Sequence, residues 1–383
     1  MKKWIFIFVV LVVSIFATST LSVAVADTGL SGGAKAVYLT DMAGQVEMVA
    51  ENADERYPIA SMVKIMTALL TLESMEAGRL SPTEGLTISS EAMGMGGSQM
   101  FLNAGDVYPA VDLLKGVIVV SANDACVALA ERLCGTEGAF VEQMNARALE
   151  LGMRNTHFAN CTGLPHPEGY SSARDVAKML GELVRYPLYH ELSSIWMEDY
   201  HHPDGRVTTL TNTNKLVRFY DGCDGGKTGY TAEAGFCLAV SAHKGDTQLV
   251  GVVIGAKDSK KRFATATGLL NYGFSHYKMT PYLCPDEGYV DAPVVGGSSR
   301  VVPAKAERML GLVEKLGNTT EAEIHYEWYS PAAPIEKGSE VGRAYLCVDG
   351  VAVGECAMVA VEGVEKGTYG DAIEDFLGYY ALP

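Results

Sequence analysis

The chain has 383 residues, 48% hydrophobic and 20% charged, with a net charge of −16. That length suffices for two domains with sizeable cores, and long low-complexity runs and internal repeats are absent. The acidic balance argues against nucleic acid as a partner and against an anionic bilayer held through a basic patch.

The first 26 residues stand apart. Lys2 and Lys3 precede the apolar run WIFIFVVLVVSIFA, and Ala24 and Ala26 sit two apart just before Asp27. A basic start, a hydrophobic core and an Ala-x-Ala site predict a secretory signal cleaved after Ala26. The alternative is an uncleaved anchor, because the apolar stretch is nearly long enough to span a bilayer. Either way the working part is expected outside the cytoplasm. Loss of the two lysines leaves −18 on residues 27–383.

KAVYLTDMAGQVEMVAE predicts two strands around an Ala-Gly turn. Pro58 and Ala60 then lead into ASMVKIMTALL, where Met62, Val63, Ile65, Met66, Leu69 and Leu70 go nearly all the way round a helix. Such a helix is buried. Yet it carries Ser61 and Lys64, three apart and so on one helical face. VYPAVDLLKGVIVVSANDACVALAERLCG has helical periodicity twice, broken around Ser121. EGAFVEQMNARALELG predicts a helix ending at Gly152, and SARDVAKMLGELVRYP another stopped before Pro187.

GGKTGYTAEAGF places Lys227, Thr228 and Gly229 on a strand flanked by glycines, where the backbone can come close to a ligand. FCLAVSAHKGDTQLVGVVIGA reads as two strands joined by a turn, and SKKRFATATGLLNYGFSHY as a last helix. Beyond about Tyr277 strand-like pieces dominate, with a hairpin signal at Asp349-Gly350. The prediction is an α+β domain over residues 27–277, a small all-β domain over 278–370 and a tail over 371–383. In the tail Ile373, Phe376, Leu377 and Tyr380 make a helical stripe. Its polar face carries Asp371, Glu374 and Asp375, a poor match to an anionic membrane. Eight cysteines without a C-x-x-C spacing read mostly as buried free thiols.

Taken singly, the polar motifs are weak. Ser241-Ala-His-Lys244 repeats the Ser-x-x-Lys spacing at a strand-to-turn position, where a solvated pair is expected. Ser61 differs in sitting at a helix start, where free backbone N–H groups can hold an oxyanion. Ser121-Ala-Asn123 alone reads as helix capping, and Lys227 alone as a surface lysine beside a turn.

Together and in this order they match S-x-x-K, S-D-N and K-T-G, the signature of penicillin-binding proteins and class A β-lactamases, with Ala122 in the middle of the second motif. Three longer stretches strengthen it: GSQMFLNAGDVYPAVDLLKGVIVVSANDACVALAE, NTHFANCTGLPHPEGYSSARDVAKML and GCDGGKTGYTAEAGFCLAVSA. They strongly resemble the serine-type D-alanyl-D-alanine carboxypeptidases, the low-molecular-mass penicillin-binding proteins. The resemblance spans essentially all of residues 27–383. It implies a penicillin-binding/β-lactamase-like catalytic domain, an antiparallel sheet flanked by helices, followed by a small β-sandwich. It also implies a place in the cell wall or on the outer face of the cytoplasmic membrane.

By that resemblance Ser61 is the nucleophile, acylated by the penultimate D-Ala of a peptidoglycan stem peptide. Lys64 takes its proton, which requires an amine depressed by burial and by the charge of Lys227 nearby. Ser121 relays the proton to the leaving D-Ala, and Asn123 holds the substrate amide. Lys227 and Thr228, with Gly229, meet the terminal carboxylate. The backbone N–H groups of Ser61 and Tyr230 form the oxyanion hole. Arg262 falls where the family has a carboxylate-binding arginine; an exposed helix charge is the plain alternative. Where some relatives carry a histidine before the loop glycine, this chain has Thr162, and His157 and His166 read as structural or exposed.

β-Lactam antibiotics are the implied covalent inhibitors, and no metal or cofactor is implied. A class A β-lactamase would need a Glu-x-x-Leu-Asn loop between the second and third motifs, and none occurs between Asn123 and Lys227. A DD-endopeptidase would use the same residues. A non-catalytic penicillin-binding sensor would be expected to carry a transmembrane signalling helix, and no such apolar run follows residue 27.

Overall fold

The computed structural model describes residues 29–286 and 288–370. The expected signal at 1–26 and the tail at 371–383 lie outside these residues. The α+β reading holds. A five-stranded antiparallel sheet is built from β1 (Ala36–Asp41), β2 (Glu47–Glu51), β3 (Cys223–Thr231), β4 (Gly235–Lys244) and β5 (Thr247–Ala256). Its spatial order is β2–β1–β5–β4–β3, so the first strands of the chain pair with the last strand of the sheet. This leaves β3, the strand of Lys227, at an edge.

Side chains alternate between the faces of a strand, and the sheet divides two cores accordingly. Tyr38, Ala239, Val250, Val252 and Ile254 face the larger core, which holds most of the helices. Val37, Leu39, Val240, Leu249 and Val253 face the other, covered by Leu269 and Leu270 of the helix Ser259–His276. Within the larger core lies α1 (Lys64–Glu76), buried at every residue from Lys64 to Leu72. It packs against α2 (Ala110–Val119), α3 (Asn123–Cys134) and the helix Ala173–Leu183. Burying each large side chain of α1 contributes about 1.5–3 kcal/mol, which outweighs its lack of a polar face.

The helix Ser259–His276 runs into a β-rich unit. Strands Val290–Pro293, Val301–Ala306, Val351–Ala360, Glu340–Val348 and Glu323–Trp328 lie in that spatial order. Tyr277–Leu283 and Leu310–Lys315 pair as a second, two-stranded layer. Val302, Ala304, Leu346 and Met358 fill the space between, with Leu310. Asp349 and Gly350 both take positive φ, the geometry of a two-residue hairpin turn. Among the described residues no helix is long and apolar enough to cross a membrane.

Two expectations need correction. Ser241 is not solvated: it lies fully buried within β4 and donates to Asp224 Oδ1 at 2.6 Å. Only Lys244, at the strand end, is exposed, so the repeated spacing brings no hydroxyl to an amine. Most cysteines read as buried free thiols, yet only Cys126, Cys161, Cys237 and Cys356, half of the eight, are buried free thiols.

A hairpin that was not among the predicted elements, Met197–His201 with Val207–Thr211, docks beside α2. Tyr200 donates to Asp112 Oδ2 at 3.0 Å and Lys115 to Glu198 at 2.8 Å. His202, 4% exposed, lies 2.9 Å from Tyr108 Oη through Nδ1 and 2.8 Å from Thr208 Oγ1 through Nε2. Burial, and then the charge of Arg206, push its pKa below the usual imidazole range. The neutral ring is therefore favoured in the folded state. Its contribution to stability is present above the unfolded pKa, about 6.5, and is lost as pH falls toward the folded value. Chemical unfolding at pH 7.5 and pH 5 is expected to show a smaller acid loss in His202→Gln than in the parent.

Candidate active site

Ala60–Val63 form one 3₁₀ turn that feeds directly into α1. Ala60 has φ +48°, a strained value for a residue with a Cβ, immediately before Ser61. Ser61 remains partly accessible, whereas Lys64 is 1% exposed. The Lys64 Nζ donates to Ser61 Oγ at 3.1 Å and to the carbonyl of Thr162. Burial lowers the Lys64 pKa from its ordinary value. Cys126, Cys161 and Asp124 act in the opposite direction, but less than burial does. Burial pushes the Cys126 thiol up to about 12 and Cys161 well above its usual range, so both stay neutral.

Glycines let three backbones meet at Ser61. A Cβ on Gly163, which has φ +80°, would lie 2.1 Å from the Ala60 carbonyl oxygen and 3.0 Å from Ser61 N. A Cβ on Gly229 would lie 2.7 Å from the Ile59 carbonyl oxygen and 3.2 Å from Ser61 N. The Thr162–Gly163 loop and β3 thus press on the 3₁₀ turn at distances that side chains forbid. On the far wall, a Cβ on Gly97 would lie 2.8 Å from the Asn123 amide nitrogen and 4.0 Å from Leu164.

The second motif does not cap its helix. The N-cap of α3 is Ala122, and no side chain caps it. Ser121 has φ +66° and is 4% exposed, and its Oγ is buried without a hydrogen-bond partner. A strained residue with an orphaned hydroxyl costs stability, a pattern that clusters at functional sites. Asn123 is 4% exposed and donates from Nδ2 to the Gly96 carbonyl at 2.6 Å, while its backbone N–H donates to Ser98 O at 2.7 Å.

Lys227 and Thr228, 4% and 7% exposed, are also buried, which overturns the surface-lysine reading. Burial, and then the positive charge of Lys64, hold the Lys227 amine well below its usual range. The two amines therefore oppose each other's protonation, with the repulsion acting on Lys227. Lys227 Nζ donates to the Thr228 carbonyl at 3.2 Å. Tyr230 projects outward, 58% exposed, its ring 4.4 Å from that of Phe236. Arg262 is 7% exposed, so the alternative of an exposed helix charge fails. Its Nη1 donates to the carbonyls of Gly229 at 3.3 Å and Cys237 at 3.2 Å, bracing β3 from behind. Its Nε is buried without a partner, and burial lowers its pKa to about 10.

Three contributors escaped the sequence reading. Thr162 acts through its carbonyl, which any residue supplies, and so leaves no side-chain signal. Gly163 is marked only by a contact far away in the chain. Asp124, fully buried, accepts from the backbone N–H of Met100 and of Leu102, each at 3.1 Å. An acid in the first turn of a helix is common enough to hide that role. His157 Nδ1 lies 2.8 Å from the Glu168 carbonyl and His166 is exposed, so neither joins the site. Among the described residues no cluster of three or more His, Cys, Asp or Glu side chains is placed to hold a metal.

Known proteins resemble both parts of the chain. Residues 24–258 match the family model described as D-alanyl-D-alanine carboxypeptidase. Residues 277–366 match the C-terminal domain of penicillin-binding protein 5. D-alanyl-D-alanine carboxypeptidase DacF of Bacillus subtilis is 36% identical over 343 residues, 89% of this chain and 88% of that protein. DacC of Escherichia coli is 32% identical over 357 residues, 90% of this chain and 87% of its own length. The crystal structure of penicillin-binding protein 5 from Haemophilus influenzae superposes with a TM-score of 0.65 at 30% identity, covering 87% of this chain and 98% of that one. With a lysine buried against a serine at a helix start and a glycine-lined strand beside it, the chain belongs to the D-alanyl-D-alanine carboxypeptidase family.

Proposed function

We propose that the protein is a serine-type D-Ala-D-Ala carboxypeptidase that removes the terminal D-Ala from peptidoglycan stem peptides and is acylated by penicillin. The observation that carries this is the Lys64 amine, 1% exposed and 3.1 Å from Ser61 Oγ. An ammonium there would lack both water and a carboxylate partner, at a cost of several kcal/mol. The neutral amine avoids that cost and is a base.

Ser61 Oγ attacks the carbonyl carbon of the penultimate D-Ala as Lys64 takes its proton. The oxyanion is held by the N–H groups of Ser61 and Tyr230, brought within reach because Gly229 lets β3 lie against the 3₁₀ turn. The C–N bond breaks, and the proton passes through Ser121 to the leaving D-Ala amine. The unpartnered Ser121 hydroxyl supports this relay, since substrate would supply its missing partner. Water then attacks the acyl-enzyme, with Lys64 again as base. Asn123 fixes the substrate amide. Lys227 and Thr228 meet the carboxylate, and Arg262 supports them through the Gly229 and Cys237 carbonyls.

The expected processing fits this reading: signal 1–26 removed, catalytic domain 27–277, β-sandwich 278–370, and work outside the cytoplasm. Membrane attachment through the tail has little support, given the acidic face of 371–383.

Residues 27–383 should release D-Ala from a pentapeptide ending in D-Ala-D-Ala, and penicillin should block release through an adduct at Ser61. Ser61→Ala should do neither. Adduct formation without D-Ala release would point to the endopeptidase or sensor readings, and no adduct at all would defeat the proposal. Gly163→Ala, whose Cβ collides with the Ala60 carbonyl, should cost about 2 kcal/mol or more of stability. It should also slow penicillin labelling by roughly tenfold or more, as read by a mass-shift time course.

A further inference from the structure

The wall that carries Asn123 is bordered by residues 96–103, and that segment is under strain. Phe101 has φ +63°, a value that costs a residue with a Cβ roughly 1–2 kcal/mol, and its side chain is 56% exposed. Its own side chain therefore does not hold it in place. Met100 and Leu102 on either side are buried in the larger core, and hydrogen bonds fix the peptide between them from two sides. From within, Asp124 accepts the N–H groups of Met100 and Leu102. From outside, Arg206 Nη2 donates to the Phe101 carbonyl at 3.0 Å. Leu102 N–H and the Phe101 carbonyl belong to one peptide plane, so that plane is pinned on both edges.

Arg206 is the outer pin, and it is itself held. It sits in the turn of the hairpin Met197–Thr211, where its Nε and its backbone N–H both donate to the carboxylate of Asp204. Asp204 also accepts from Asn103 Nδ2 at 2.8 Å, and Asn103 in turn donates to Asp106 at 3.1 Å. The hairpin turn and the segment after Phe101 are thus joined by a short polar network. Residues 96 and 98 of the same segment supply the carbonyls that receive the side chain and the backbone N–H of Asn123.

We propose that Arg206, oriented by Asp204, is a positioning residue for the active site. It clamps the strained Phe101 peptide from the hairpin, and so fixes the 96–102 segment on which Asn123 is aligned. This rests on the carboxypeptidase reading, in which Asn123 holds the substrate amide during acylation. Arg206 touches no reacting atom. An exposed pair such as Arg206–Asp204 adds little to global stability, so its loss should appear at the site rather than in the melting temperature.

The test compares the parent with Arg206→Ala and Arg206→Lys in the 27–383 protein. Three quantities are read: the second-order rate of penicillin acylation, the lifetime of the adduct, and hydrogen exchange of peptides covering 96–103 and 64–76. Arg206→Ala should slow acylation by roughly five- to tenfold. It should speed exchange in 96–103 and leave 64–76 and the adduct lifetime unchanged. Arg206→Lys, which keeps one donor for the Phe101 carbonyl, should recover part of the rate. Acylation within about twofold of the parent would overturn the proposal. So would slower acylation with exchange in 96–103 unchanged, or faster exchange in both segments, which marks a purely structural role. A parent that is not acylated would instead defeat the carboxypeptidase reading. The exchange comparison needs no substrate and keeps the two failures distinct.

Discussion

Everything at the site depends on one amine held without water. Lys64 points from a helix buried all round toward a single hydroxyl and a single carbonyl, with neutral thiols behind it. A structural lysine in such a place would be matched by a carboxylate. Here no carboxylate pairs with it and the charge of Asp124 offsets burial only in part, which suits the proposed role of a base. The second amine, Lys227, lies close enough that the charge of Lys64 adds to burial in holding it well below its usual range.

In the proposed mechanism substrate atoms must reach Ser61 while Lys64 stays buried beneath it, an arrangement that close backbone packing supports. Gly163, Gly229 and Gly97 remove side chains where two loops and a strand converge. Close approach brings N–H and C=O groups of separate segments to Ser61 without long side chains between them. Strain is stored at the same place, in Ala60, Phe101 and Ser121, all non-glycine residues at positive φ. Buried hydrogen bonds, those of Asp124 above all, hold at least the Phe101 turn against relaxation.

Much of this was legible in the residues. The all-round apolar pattern of α1, the break at Ser121 and the Asp349-Gly350 turn are local properties, and each predicted its element. The three motifs in order pointed, by resemblance, to the candidate site residues and to the family. What was not legible is non-local. Whether Ser61 or Ser241 meets its lysine depends on which is preceded by a strained turn and which lies within a strand. The carbonyl of Thr162 and the carboxylate of Asp124 serve groups distant in the chain, and nothing in their neighbours announces it. The burial of Arg262 follows from β4 passing behind it rather than from its own helix. The hairpin Met197–Thr211 carries the same Asp-Gly signal, at Asp204-Gly205, but the weak alternation of its short polar strands let it pass as a loop.

The central claim is that burial holds Lys64 as a neutral amine. It is tested most directly by NMR titration of the protein with ¹³Cε- and ¹⁵Nζ-labelled lysine, with Lys64 assigned by its loss in Lys64→Met. The account predicts a signal that titrates below the ordinary 10.5, in company with that of Lys227. A Lys64 that keeps its proton up to 10.5 would contradict it.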